Sequence, residues 1–336
     1  MTTLPSSASA SAAAHPSEAH PSLLGGQHLL TPDLVRVRLP LSNVFLLGTP
    51  GTPWVLIDAG HPGSTQLILR AVSERFGSDA RPQAIVLTHG HLDHIGALHA
   101  LLERWGDVPV YAHALEQPYL SGQSAYPPPD PSVGGSMSAV SPVFLPGPYD
   151  FRPHLRDLAD LGDLPALQGW EVIETPGHTP GHVSLWRGRD KVLIAGDAFV
   201  TTVQEDLGSA MSLRPQLVHR PPAYYTPDWD AAKRSVAKLA ALEPELAVTG
   251  HGDAMQGRRL QLELRKLATN FDEVARPRVG RYARQPAITD ASGVRSLPPA
   301  RPTVHGLFVA LAALGLLMVW NTTRPSPRRI RRGRLE

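Results

Sequence analysis

The sequence predicts an α/β fold, and three observations carry that prediction. Apolar runs of strand length alternate with longer amphipathic stretches of helix length between about residues 34 and 274. Gly, Pro and Asp punctuate the alternation, and the 34 prolines, about twice the usual ~5 % frequency, imply many rigid turns. Metal-ligating side chains also recur at strand ends, after Leu87, Glu174, Ala195 and Val248. One histidine at a strand end means little. Four deliveries to one rim of a sheet form a pattern, because chemistry in α/β sheets collects at the carboxyl ends of strands.

Composition bounds the class. A chain of 336 residues is enough for one large α/β domain or two small ones, and 42 % hydrophobic content can build a core. Its formal net charge of +2 predicts no strong non-specific affinity for nucleic acid. There is no cysteine, so there is no disulfide framework and no thiolate ligand. Any metal must be held by His, Asp or Glu.

Taken in order, residues 1–27 are rich in Ser, Ala, Pro and His without apolar periodicity, and read as disordered. They show neither a basic n-region nor an apolar h-region of a secretory signal. His15 and His20 are read as incidental. The catalytic domain is expected over 28–275. Residues 35–39, 44–47 and 54–57 read as strands, the third running into Asp58-Ala59-Gly60-His61. Asp58 is either a turn former or an acceptor that orients a ligating histidine, and the second reading is preferred. Residues 64–76 read as a helix with Ser64 as N-cap.

Residues 84–87 then read as a buried strand and 95–104 as a helix with Ile95, Leu98, Leu101 and Leu102 on one face. Between them stands Thr88-His89-Gly90-His91-Leu92-Asp93-His94, four of whose seven residues are good ligands. In extended chain His89 and His91 point the same way, and Asp93 and His94 enter from the turn, so one cluster serves two neighbouring metals. Residues 108–111 are read as a strand, and His113 beyond it as structural. Residues 118–153, rich in Pro, Gly and Ser, are expected to be either a cover over the active-site mouth or a passive surface loop. Strands are expected at 170–174, 183–186, 192–195 and 246–248. Helices are expected from 227 or 228 to 242 and over 258–274.

Thr-His-Gly-His-Leu-Asp-His, Gly177-His178-Thr179-Pro180-Gly181-His182, Gly196-Asp197 and Gly250-His251-Gly252 together resemble the metallo-β-lactamase fold family, over roughly residues 34–274. The resemblance implies an αββα four-layer sandwich with a two-metal site at one edge of the paired sheets. It implies that His89, His91 and His178 hold the first metal and that Asp93, His94 and His251 hold the second, with Asp197 bridging both. His182 is then structural. Asp58 matches an Asp found at the end of an early strand in the family, and Asp93 and Asp58 are the candidate catalytic residues. Imidazole with carboxylate suits two zinc ions, although iron and manganese also accept such ligands.

A bridging Asp197 resembles the glyoxalase II branch. The flavodiiron branch has Glu where His91 stands, and the RNA-processing branches carry extra domains or insertions not visible here. The expected function is a dinuclear metal-dependent hydrolase in which a metal-bridging hydroxide attacks the ester, thioester or lactone carbonyl of a small molecule. Alternatives are a mononuclear iron persulfide dioxygenase or a phosphodiesterase on the same fold. Two departures stand out. The chain after Val274 lacks the helical glutathione-binding pattern of glyoxalase II. Ala198-Phe199-Val200 stand where lactonases of this fold carry a Tyr soon after the bridging Asp; Tyr224 or Tyr225 either leans into the site or packs at a helix entrance.

Residues 276–302 read as a linker, Pro- and Arg-rich. Residues 303–323 follow without Asp, Glu, Lys or Arg, a length of roughly 30 Å as helix, about that of a bilayer core. They read as a single transmembrane helix, and the arginines of 324–336 as a basic tail at the membrane surface. Localisation is therefore expected at the membrane, single-pass, with the catalytic side undecided and the cytoplasmic face slightly preferred. No nucleic acid and no protein partner is expected.

Overall fold

Alternation of apolar side chains along the strands builds the molecule. The computed structural model describes residues 25–300. Seven strands form a first sheet in sequence order: β1 (Gln27–Thr31), β2 (Leu34–Arg38), β3 (Asn43–Leu47), β4 (Val55–Ile57), β5 (Ala84–Val86), β6 (Val110–Ala112) and β7 (Leu155–Asp157). β1 to β4 pair antiparallel, and β4 to β7 pair parallel. A second sheet contains β8 (Glu171–Glu174), β9 (Val183–Arg187), β10 (Val192–Ile194), β11 (Leu246–Val248) and β12 (Met255–Gln256) in the order β12-β11-β10-β9-β8, with β10 and β11 parallel. A hairpin of β13 (Ile288–Asp290) and β14 (Gly293–Ser296) stands apart.

Period-two patterning sorts the core into three layers. Phe45, Leu47, Val55, Ile57 and Val86 face Val183, Leu185, Val192, Ile194 and Val248 between the sheets. Val44, Leu46, Leu56 and Ile85 point the other way, onto helices α1 (Thr65–Phe76), α2 (Leu92–Ile95) and α3 (Leu98–Trp105). Short helices α4 (Gln117–Leu120), α5 (Ser136–Val140) and α6 (Leu207–Ser212) lie in the connections. On the far side Leu193, Ala195 and Ala247 pack with Ala232, Val236, Leu239, Leu260 and Leu264 of α7 (Trp229–Ala241) and α8 (Gly257–Thr269), with α9 (Phe271–Val274) behind. This is the α/β fold with mixed sheets that the resemblance implies, helices covering both outer faces.

Four expectations meet a different structure. The helix read over 95–104 is two helices, because Gly96 lies against the 60–62 loop. A Cβ there would overlap Pro62, and its N–H is bound to Gly60 O at 2.6 Å. The helix read over 258–274 breaks at Asn270. Ser64 precedes α1 without capping it, since its hydroxyl donates to His61 O instead. Residues 276–300 are packed rather than a free linker. Tyr282 and Ala287 are buried with α7 and α8, and Tyr282 Oη donates to Pro128 O at 2.8 Å. Pro and Arg content reports the absence of long regular elements there, and says nothing about packing. Of the segment 1–27 expected to be disordered, only its last three residues are described, and Gln27 already begins β1; the expected membrane helix at 303–323 lies outside the described residues. Among the described residues no helix is long and apolar enough to cross a membrane.

Candidate metal centre

The site is assembled from the ends of β4, β5, β8, β10 and β11. Asp58 follows β4, fully buried with φ of 60°. Its Oδ1 accepts from Thr88 N at 2.7 Å, and its Oδ2 accepts from Thr88 Oγ1 at 2.8 Å and lies 2.8 Å from His94 Nδ1. The carboxylate therefore accepts a hydrogen bond from His94 Nδ1–H and leaves Nε2 to face Asp197 and Asp93. Thr88 Oγ1 lies 3.1 Å from His89 Nδ1, which likewise frees His89 Nε2. A non-glycine residue at positive φ is costly, and here the strain sits where three polar groups converge on the carboxylate.

The remaining candidates come from the second sheet. His178 lies in the turn after β8, its Nε2 3.0 Å from His91 Nδ1 and 3.4 Å from Asp197 Oδ2. Asp197 follows β10, and its N–H donates to His182 Nε2 at 2.8 Å, so His182 positions the backbone rather than joining the ligands. His251 follows β11. Its Nδ1 donates to Leu41 O at 2.6 Å, and its Nε2 reaches Asp197 Oδ2 at 3.0 Å and Asp93 Oδ2 at 3.3 Å. The structure thus brings together all seven residues read as ligands. They fall into overlapping groups: His89, His91 and His178; His89, His94 and Asp197; Asp93, His94 and His251, with ligand atoms within 4.8 Å inside each group. Asp93 is the open member, its side chain 31 % exposed, while the others are buried.

These donors fit cations. His89 Nε2, His94 Nε2 and Asp197 Oδ1 are buried without a hydrogen-bond partner among the described residues, an arrangement proteins avoid unless something else satisfies it. Burial, reinforced by neighbouring imidazoles, holds His89 and His178 well below the ordinary histidine value and His91 at about 3, which keeps lone pairs available at neutral pH. Burial opposes charge on His94 and His251, but Asp197 and its neighbouring carboxylates outweigh it and raise both. Burial likewise opposes ionisation of Asp197, yet His251 and His94 hold its carboxyl well below the usual range. This half of the site attracts positive charge.

Several supporting residues escape a reading by ligand type. Asn43 binds Thr249 O and Gly252 O through Nδ2 and Gly250 O through its backbone N–H, fixing the His251 loop. Arg36 binds Gly252 O and Asp253. A polar residue inside an apolar strand was the available signal for both. Tyr126 and Tyr225 have ring centroids 4.8 and 4.4 Å from that of His91. Residues 118–153 therefore reach the site, Phe144 packing on Tyr225. Tyr225 Oη donates to Phe144 O at 3.0 Å. His113 lies apart from the ligands, 3.5 Å from Glu174, and the imidazole of His61 turns back to Pro62 O.

Comparison with known proteins agrees with this geometry. A family profile described as "Metallo-beta-lactamase superfamily" matches residues 37–251. "Probable metallo-hydrolase YflN" of Bacillus subtilis (strain 168) is 44 % identical over 241 residues, 71 % of this chain and 90 % of that protein. "Hydroxyacylglutathione hydrolase GloC" of Haemophilus influenzae is 29 % identical over 145 residues, which is 42 % of this chain and 59 % of that protein. Among solved structures, a beta-lactamase domain protein from Burkholderia ambifaria aligns with a TM-score of 0.51 at 19 % identity, over 76 % of this chain and 79 % of that one, a likeness of fold.

Proposed function

The chain belongs to the metallo-β-lactamase superfamily, and we propose that it is a two-metal hydrolase acting on the ester, thioester or lactone carbonyl of a small molecule, in a glyoxalase II-like branch. The observation that carries this reading is Asp197. One buried oxygen, Oδ2, lies 3.4 Å from His178 Nε2, 3.6 Å from His94 Nε2 and 3.0 Å from His251 Nε2. It thus reaches both ligand groups at once. The partial likeness to a hydroxyacylglutathione hydrolase supports the same bond class. A second complete ligand group beside the first favours two metals over the mononuclear iron alternative.

His89, His91 and His178 would hold the first metal, and Asp93, His94 and His251 the second, with Asp197 between them. Zinc is the preferred ion, with iron and manganese suited to the same donors. When bound, such ions supply Lewis acidity and lower the pKa of water so that a nucleophile exists at neutral pH. The protein's own part is positioning. Asp58 and Leu41 O fix the tautomers of His94 and His251. Asp93, the solvent-facing carboxylate, orients an incoming water and accepts its proton.

A panel of thioesters, lactones, simple esters and phosphodiesters separates the bond classes. Wild type should cleave a carbonyl ester class, and Asp197→Asn should lose at least about 10²-fold in kcat/KM. Cleavage of phosphodiesters alone would overturn the proposed bond class. We also propose membrane association through the uncharged run at 303–323. Full-length protein should then sediment with membranes, and a chain ending at residue 300 should not.

A further inference from the structure

A buried carboxylate outside the ligand set joins the two loops that carry the first metal subsite. Glu116 stands after β6, just before α4, and is 1 % exposed. Its Oε2 accepts from Gly90 N at 3.0 Å and from the Tyr126 hydroxyl. Its Oε1 accepts from Gly181 N at 2.7 Å. Gly90 separates His89 from His91, and Gly181 sits between His178 and His182. Tyr126, the third donor, lays its ring against His91. A buried carboxylate is tolerated only when its lone pairs are satisfied, and these three donors come from three separate segments around one subsite.

The packing explains why the two ligand motifs carry glycine at these positions. A Cβ on Gly181 would lie 2.9 Å from Glu116 Cγ and 2.9 Å from Glu116 N. A Cβ on Gly90 would lie 2.8 Å from Leu120 Cδ2 and closer still to the Tyr126 hydroxyl. Each glycine lets its backbone N–H approach the acid.

We propose that Glu116 is a positioning residue of the first metal subsite: by clamping the Gly90 and Gly181 amides and the Tyr126 hydroxyl, it sets the spacing of His89, His91 and His178 and thereby their affinity for a metal ion. It touches no substrate and holds no metal itself. The inference rests on the metal-site reading above and deepens it. Outer residues that orient ligands change metal affinity by about 10- to 100-fold when altered.

The test uses metal-free full-length protein, Zn2+ titrated against a chromophoric chelator, and Co2+ followed by its visible absorption. Glu116→Gln keeps size and shape, but one oxygen becomes an NH2 that cannot accept, so it must face an N–H or the Tyr126 hydroxyl. The variant should fold without metal and bind one of two Zn2+ ions about 10- to 100-fold more weakly, leaving the other unchanged. Its Co2+ spectrum should shift with the altered ligand field. Tyr126→Phe, which keeps the ring against His91, should weaken the same ion by less. Two affinities equal to wild type in both variants overturn the proposal. So does a Glu116→Gln chain that stays unfolded at saturating Zn2+, which would make the carboxylate a residue of the fold. Wild type that binds no metal is a separate outcome, and it overturns the site reading together with this inference.

Discussion

At the scale of the residue, the site is a set of imidazoles whose tautomers are set from outside. Asp58, Thr88 and Leu41 O each take one ring nitrogen and leave the other free. The residues that cluster as candidate ligands were legible in the sequence because His, Asp and Gly recur in fixed order at strand ends. Their supports were not. Asn43, Arg36, Glu116 and Tyr126 act through partners distant in the chain, and no local pattern announces such a partner. Glu205 is a similar case in the segment beside the site. It is 4 % exposed and binds His219 Nε2 at 3.0 Å, Arg220 Nε at 3.1 Å and, next to Tyr224 in the chain, Ala223 N at 2.9 Å. Although burial raises it, these partners hold its carboxyl at about 2, well below the ordinary glutamate value of 4.5. The sign follows: its stabilisation is fully present above about pH 4.5 and is lost as pH falls towards 2. At neutral pH it is worth about 3 kcal/mol at most. The stability gap between wild type and Glu205→Gln, measured by denaturant at several pH values, should therefore be widest near neutrality and shrink through this window. A gap independent of pH would contradict the assignment.

At the scale of the element, strands deliver ligands because their ends are fixed by pairing on both sides. β10 lies between β9 and β11, so Asp197 and His251 leave neighbouring parallel strands in register, with Ile194 opposite Val248. Gly250 then passes so close to Asp197 that a Cβ would overlap Asp197 Oδ1 and sit 2.6 Å from His94 Cε1. Both neighbours are candidate ligands that cannot yield without leaving the site. Gly250→Ala should accordingly lose metal and activity at least about as severely as removing an outer support, 10- to 100-fold. Far-ultraviolet circular dichroism should remain that of the wild type. The strand set and the long helices were readable from apolar periodicity. The break at Gly96 was not, because it depends on the 60–62 loop packed against it; at Asn270 the helix ends where the side-chain Nδ2 donates to Lys266 O at 3.2 Å.

At the scale of the whole molecule, the two sheets share a buried apolar interior and place the candidate ligands on one rim. The connections, 118–153 and 198–227, close over that rim, which loop composition alone did not decide. Phe144 meets Tyr225 across them, and Asp130 N–H donates to Tyr224 O at 2.7 Å. The chain beyond Ala275 completes the outer layer. Tyr282 is 3 % exposed and belongs to the same cluster as Trp229 and Phe271. A chain ending at residue 275 should thus be destabilised by about 3–5 kcal/mol, the scale of deleting a buried aromatic. A chain ending at residue 300 should match the full-length catalytic domain in thermal unfolding. Equal melting of the two truncations would show that the 276–300 segment contributes nothing.

Seven side chains, joined through Asp197, would hold two metal ions in one hydrolytic centre. Metal content per chain, counted by mass spectrometry after purification without chelator, tests it most directly, with His91→Ala and His251→Ala beside the wild type. The expected result is two ions in the wild type, with occupancy lost from opposite halves of the site in the two variants and hydrolysis lost in both. A single ion per chain in the wild type, with hydrolysis indifferent to His251→Ala, would contradict it.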